Sequence, residues 1–215
     1  DFNLEIVGPA VNYCGECVEE NGTTYYDPFY YLDDFFEACQ DCRVDHIAVH
    51  SYMNSVDALK WYIGEFKKYG KPIWLTEFAG LEENGTINTV DDQINFMIGA
   101  VDFLENDPDV YRYAWFIGRA DGIDTYTYID LLGNRGVLTT LGEVYKNMPT
   151  HTESQKASIP GVIEVEAYNT MSGIELQKTS DQSGFLHVGK IESGDWLEYK
   201  IDVEEGDNYQ IQFRV

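Results

Sequence analysis

Short extended runs alternate with longer amphipathic ones over residues 4–148, and this constrains the fold more than any other feature of the chain. β-like runs read at 4–7, 44–50, 72–77 and 110–116. Between them apolar residues recur at the helical period. Leu32, Phe35 and Phe36 share one face of 31–38, and Leu59, Tyr62, Ile63 and Phe66 one face of 56–69. Ile94, Met97, Ile98 and Val101 do the same within 90–104. Gly70 and Pro72 stop the second helix, Asp107-Pro108 stops the third, and a last helix over 141–148 ends before Pro149. This order predicts parallel β-structure with helices outside it. Right-handed crossovers then leave an open doubly wound sheet or an arc of a (β/α) barrel. No G-x-G-x-x-G and no P-loop follows any of the strands, so the barrel arc is preferred. A closed barrel needs eight strand–helix units and four are read here. The expected fold class is therefore α/β, a partial (β/α)8 TIM barrel. Its other half is expected upstream in a longer chain, because two open edges would invite aggregation.

After Pro149 the texture changes. Residues 150–158 are polar and aperiodic, and read as a linker between a barrel half at 1–149 and a second domain at 159–215. There, β-like runs at 162–166, 174–178, 186–191, 196–203 and 209–215 are divided by Ser-Gly and Glu-Gly turns, as in an all-β sandwich. The last run has no closing turn, so the sandwich is expected to be partial, and Trp196 reads as part of its core.

Charge narrows the partners. Asp plus Glu outnumber Lys plus Arg 38 to 14, a formal net charge of −24, which argues against nucleic acid and anionic membrane surfaces. Sixteen Tyr, 11 Phe and 4 Trp are too many aromatics for an acidic disordered tail. No apolar run nears the roughly 20 residues that a membrane-spanning helix needs, so no membrane insertion is expected. The acidity suits an extracellular or saline setting, and the expected location is extracellular or at the cell surface.

The sharpest chemical signal is Lys71-Pro72-Ile73-Trp74-Leu75-Thr76-Glu77-Phe78, an apolar strand that ends in a carboxylate. Active sites of (β/α) barrels lie at the carboxyl ends of strands, which puts Glu77 where chemistry is expected. The strand over 44–50 runs on into His50 and Tyr52, which share a face at the two-residue period, and Tyr113 and Trp115 finish the last strand. A carboxylate, an imidazole, phenols and an indole at one barrel mouth make a site for sugar: aromatic faces stack on pyranose rings and carboxylates do the bond-making. Read alone, Glu77 also fits a solvated strand end, His50 a core histidine and Trp115 barrel packing.

Cys14-x-x-Cys17 and Cys39-x-x-Cys42 are the only cysteines. Two such knuckles match structural zinc spacing, and an even count in a secreted protein equally suits disulfides. Disulfides are preferred, because a helix separates the two pairs; a shared zinc comes second.

Several stretches in order resemble glycoside hydrolase family 128, the endo-β-1,3-glucanases: Val7-Gly8-Pro9-Ala10-Val11, Phe35-Phe36-Glu37-Ala38-Cys39, Val44-Asp45-His46-Ile47-Ala48-Val49-His50, residues 59–78, Tyr113-Ala114-Trp115-Phe116 and Leu138-Thr139-Thr140-Leu141-Gly142. The resemblance implies the carboxyl-terminal half of a barrel and a retaining hydrolase acting on β-1,3-glucan. It gives Glu77 as the nucleophile, His50 and Tyr52 as sugar-cleft residues, and Trp115 beneath the cleaved sugar. Ser51 stands where the family often has Trp. The family's acid/base follows the fourth strand, upstream of this chain. Glu5, Glu82, Glu83, Asp91 and Asp92 offer no substitute, so the chain alone is expected to be inactive. Catalysis requires no cofactor.

Ile159-Pro160-Gly161-Val162-Ile163-Glu164-Val165-Glu166-Ala167-Tyr168 and Gly194-Asp195-Trp196-Leu197-Glu198-Tyr199 resemble carbohydrate-binding module family 6, a jelly roll. That resemblance implies a structural calcium, with Glu164 and Glu166 at its acidic positions, although a full cage takes six to eight oxygens. Lys190 stands where the ligand platform often has an aromatic residue. Two other classes remain open: a non-catalytic carbohydrate-binding protein that uses the barrel cleft and the sandwich, and a zinc-stabilised interaction domain. Asn21-Gly22-Thr23 and Asn84-Gly85-Thr86 fit the N-glycosylation pattern, to which no function is attached.

Overall fold

The structure is a computed structural model and describes residues 4–13, 18–81, 86–120, 127–150, 156–180 and 185–214. The chain divides into two compact units, Asp1–Tyr145 and Lys146–Val215.

In the first unit, strands β1 (Val11–Asn12), β4 (Ile47–Ser51), β5 (Ile73–Phe78) and β6 (Val110–Trp115) form one parallel sheet in the order β1-β4-β5-β6. Strands that neighbour each other in sequence order, each joined to the next through a helix, make an α/β unit whose sheet runs one way without reversing. The connecting helices are α1 (Pro28–Ala38), α2 (Val56–Phe66) and α3 (Val90–Asn106), and α4 (Thr140–Asn147) follows β6. Each of the first three begins on a side-chain cap that satisfies free backbone N–H groups. Asp27 accepts from the amides of Phe29 and Tyr30, Ser55 from Ala58 and Thr89 from Asp92. The α1 helix starts three residues before the expected 31, because Pro28 sits in its first turn, where a missing N–H costs nothing.

The core lies between the helices and one face of the sheet. Ile47, Val49, Ile73, Leu75 and Phe78 of the strands are fully buried, with Leu59, Tyr62, Ile63 and Phe66 of α2 and Ile94 and Met97 of α3. The expected strand over 4–7 is reduced to a single bridge, Val7 to His46. Pro9 lacks an N–H for the ladder, and regular pairing resumes only at Val11. A hairpin that the sequence reading missed, β2 (Val18–Glu20) with β3 (Thr23–Tyr25), precedes α1. Its turn is Asn21-Gly22, both at positive φ (51° and 80°), the pair of conformations for which Asn-Gly is favoured in two-residue hairpins.

Beyond the end of α4, the second unit is all-β among the described residues. β9 (Glu175–Lys178) pairs antiparallel with β10 (Leu186–Gly189), β8 (Thr170–Ser172) pairs antiparallel with β11 (Trp196–Glu198), and β7 (Ala157–Ile159) pairs parallel with β12 (Ile201–Val203). Ala157 and Ser158, expected in the linker, thus belong to a strand. Residues 162–166 form no strand, and 209–214 have no ladder partner among the described residues; Phe213 is 84% exposed. Trp196, expected in the core, is half exposed. No helix among the described residues is long and apolar enough to cross a membrane.

Candidate active site

One irregularity builds the site. Val49 of β4 lies opposite Leu75 of β5, but the next pairs are His50 with Glu77 and Ser51 with Phe78. Thr76 is the extra residue of a β-bulge, and its Oγ1 donates to the Val49 carbonyl at 3.3 Å. The same step recurs against β6, where Leu75 faces Tyr113 and Phe78 faces Trp115. In a regular strand Glu77 would share the helix-facing side with Ile73 and Leu75. The bulge returns Phe78 to that side and turns Glu77 to the other, as bulges beside active sites do.

On that opposite face, Glu77 Oε2 accepts a hydrogen bond from the Tyr52 hydroxyl and lies 3.3 Å from His50 Nδ1. These are the partners of the Glu77 carboxylate among the described residues. The Glu77 side chain is 35% exposed, so the carboxylate remains open to a ligand. The structure thus brings Glu77, His50 and Tyr52 together.

It does not bring Tyr113 and Trp115 to them. Both occur on the register positions of the helix-facing side. The Tyr113 hydroxyl donates to Glu105 of α3, and burial, foremost, together with that carboxylate, raises the phenol's pKa. Trp115 is 8% exposed, its ring centroid 5.0 Å from that of Phe78 and 6.4 Å from those of Phe96 and Tyr145, with its indole N–H donating to the Ile129 carbonyl at 2.9 Å. The correction is one residue long. Phe116, next in the strand's alternation, lies on the Glu77 side, its ring edge-on to Tyr52 at 5.5 Å and its amide bonded to the Phe78 carbonyl at 2.9 Å. Pairing Trp115 with Phe78 on the helix-facing side leaves the next residue, Phe116, for the other face, a signal that needs the strands to be paired.

Further toward the amino ends of the strands, His46 Nε2 lies 3.1 Å from Glu5 and its ring packs on Tyr111 and Trp74. That engages Glu5 away from Glu77. Cys39 and Cys42 are joined in a disulfide with Cα atoms 5.1 Å apart, just after α1. Cys14 and Cys17, like Glu82 and Glu83, lie outside the described residues.

In the second unit Glu166 is buried and Glu164 exposed. Burial raises the Glu166 pKa, a backbone hydrogen bond opposes the shift, and the Glu164 charge adds to it. The described residues hold no group of three or more His, Cys, Asp or Glu that a metal would bridge. This pair supplies at most part of the hard-oxygen cage that calcium takes. Lys190, at the expected platform position, is ion-paired to Glu175 at 2.7 Å.

The model of the family described as "Glycosyl hydrolase catalytic core" matches residues 1–145. The chain belongs to this family. That of "Carbohydrate binding module (family 6)" matches residues 164–215. Among solved structures, the glycosyl hydrolase chain is similar to a family 128 subgroup II endo-β-1,3-glucanase from Sorangium cellulosum, at 38% identity and TM-score 0.55, over 69% of this chain and 56% of that one. A subgroup I endo-β-1,3-glucanase from Amycolatopsis mediterranei, solved as a point mutant with laminaritriose and laminaribiose, matches at 25% identity and TM-score 0.51, over 66% of this chain and 58% of that one. Alkali-sensitive linkage protein 1 of Schizosaccharomyces pombe is 35% identical over 117 residues, 54% of this chain and 22% of that protein. The glycosyl hydrolase chain therefore spans a little over half of these glucanases and about a fifth of the linkage protein.

Proposed function

We propose that this chain is part of a secreted or cell-surface retaining β-1,3-glucanase, with Glu77 as its nucleophile. In this reading the four-stranded sheet is the carboxyl-terminal arc of a (β/α)8 barrel, and the second unit belongs to a jelly-roll module that binds the same polysaccharide. Likeness to glucanases at 38% identity and to a laminari-oligosaccharide complex supports the substrate class. The Cys39–Cys42 disulfide supports an oxidising compartment. One observation carries the mechanism: Glu77 lies on an open face with a phenol donating to its oxygen, an imidazole 3.3 Å away and the Phe116 ring beside the phenol.

Tyr52 and His50 hold the carboxylate in one orientation, and Phe116 offers the cleaved sugar an apolar platform. Glu77 attacks the anomeric carbon; a bond forms from its oxygen to that carbon while the bond to the leaving sugar oxygen breaks. The leaving oxygen takes a proton from a second carboxylic acid, about 5–5.5 Å away in retaining enzymes. Neither Tyr52 nor His50 is that acid, which this reading assigns to the barrel half preceding the present sequence. Water then releases the sugar by the reverse displacement. Calcium in the second unit remains a proposal confined to Glu164 and Glu166, and no step runs through it.

The test is reducing-end release from laminarin. The chain alone is expected to release none; joined to an upstream barrel half it is expected to be active, and Glu77→Gln to lower the rate at least a thousandfold. Hydrolysis by the joined protein that survives Glu77→Gln would overturn the assignment. Activity of the chain alone, abolished by that substitution, would keep the nucleophile and remove the upstream acid.

A further inference from the structure

Gly80 lies three residues beyond Glu77, where β5 leaves the sheet, and both of its main-chain polar groups end on one side chain of α3. Gln93 Oε1 accepts from the Gly80 amide at 3.2 Å, and Gln93 Nε2 donates to the Gly80 carbonyl at 2.9 Å. Gln93 has no exposed surface. The fit is close on both sides: a Cβ on Gly80 would come within 2.9 Å of Gln93 Oε1 and 3.1 Å of Ile87. The residues flanking Gly80 are tied to β4 instead, the Ala79 amide to the Ser51 carbonyl at 3.2 Å and the Leu81 amide to the Tyr52 carbonyl at 3.1 Å.

From Phe78 to Leu81 the backbone is thus fastened alternately to β4 and to α3. The attachment at Tyr52, one residue past β4, uses the main chain of the residue whose hydroxyl holds Glu77. Without the Gln93 arm, Gly80 would keep two buried polar groups with no partner, and the strand end that carries Glu77 would shift or take up water to satisfy them. A buried amide side chain is tolerated only when its own groups are paired, and here Gly80 pairs both ends.

We infer that Gln93 is a positioning residue for Glu77: it touches no substrate, and it fixes through Gly80 the place from which the carboxylate attacks. The inference rests on the proposed function of Glu77. A misplacement of about 1 Å at a reacting group costs on the order of a hundredfold in rate.

The test uses the complete glucanase polypeptide that the proposed function requires, with 2,4-dinitrophenyl β-laminaribioside. Its leaving group departs as the phenolate with the bonding electron pair and needs no proton donor, so the burst of dinitrophenolate reads the attack of Glu77 alone. Gln93→Met keeps the length and volume of the side chain and removes both hydrogen bonds. It is expected to slow the burst between ten- and a hundredfold while half-saturation changes less than twofold. Gly80→Ala, which pushes on the same contact from the other side, is expected to act alike, and Gln93→Glu, which keeps the acceptor for the Gly80 amide, to recover part of the rate. A Gln93→Met protein that melts lower but bursts at the native rate would leave the residue a purely structural part and overturn the inference. A native protein no faster than Glu77→Gln would overturn the reading of Glu77 itself, and the inference with it.

Discussion

Replacing Trp115 with Leu separates the two roles that an indole at the end of β6 can have. As the structure has it, the ring packs edge-on against Phe78 at 5.0 Å, and its N–H satisfies the Ile129 carbonyl at 2.9 Å. Leu leaves that carbonyl without its donor, which costs about 1–3 kcal/mol when the group stays buried. Lost ring–ring contact adds about 0.5–1.5 kcal/mol, and the unfilled volume brings the total to the roughly 3–5 kcal/mol typical of large aromatic truncations. Even 3 kcal/mol shifts the folding equilibrium by more than a hundredfold, since about 1.4 kcal/mol is tenfold. In urea, where slopes run about 1–3 kcal/mol per molar, the midpoint falls by at least about 1 M. Laminari-oligosaccharide affinity, measured by calorimetry well below that midpoint, stays within twofold of native. Phe116→Leu should do the converse, weakening sugar binding at nearly native stability. A Trp115→Leu protein with an unchanged urea midpoint and tenfold weaker sugar binding would refute the register argument, returning the indole to the cleft.

Three further outcomes follow from the titrating and oxidised groups. Burial raises the Glu166 pKa, so the stability this group contributes is fully present below about pH 4, where the unfolded side chain is still protonated, and is lost as pH rises through the folded value. Glu166→Gln should flatten that branch of the calcium-free thermal midpoint, and an unchanged slope counts against a desolvated carboxyl. Burial works to raise the Asp33 pKa, but hydrogen bonds from Lys68 and Tyr69 outweigh it and leave the carboxyl below its ordinary value. The stability it contributes is therefore present above about pH 4 and is lost as pH falls through the depressed value, by an amount that Asp33→Asn removes and salt reduces, since the pair is half exposed. The Cys39–Cys42 bond closes a loop of only a few residues, so reduction should cost about 2 kcal/mol or less. Iodoacetamide should label both thiols only after reductant, and stoichiometric zinc bound by this pair in the native protein would contradict the bond.

What the sequence made legible follows from which signals are local. Apolar spacing in α2 and α3 and the runs ending at Glu77 and His50 read correctly because each element carries its own period and its own stop. His50 and Tyr52 were read by simple alternation at the end of β4, a signal carried by that segment alone. Tyr113 and Trp115 were misassigned because their face depends on β5, whose bulge at Thr76 shows only when strands are paired. Asn21-Gly22 carried two signals at once, a glycosylation pattern and a hairpin turn, and the flanking short strands β2 and β3 were too brief to favour the second. Residues 209–214 alternate well, yet a strand exists only through a neighbour's hydrogen bonds, which periodicity cannot supply. Gln93 carries no local signal beyond that of a polar residue near the start of α3. Its partner Gly80 lies 13 positions away, and nothing in either residue alone announces the pair.

The bulge itself has an energetic reason. Were β5 regular, Glu77 would follow Ile73 and Leu75 into a layer where both are fully buried against the helices. An ionised carboxylate there would cost several kcal/mol even after relaxation. The extra residue at Thr76 forfeits one step of the ladder, about 1 kcal/mol for a net hydrogen bond, and the Thr76 hydroxyl recovers part of it at the Val49 carbonyl. At the same time Phe78 regains the apolar side, where burying an aromatic ring stabilises by about 1.5–3 kcal/mol. The buried charge avoided and the ring regained outweigh the lost step of the ladder. The hydrophobic layer that makes the sheet fold is thus also what turns the carboxylate toward Tyr52, His50 and the open face, where those side chains and the Gln93 arm then hold it.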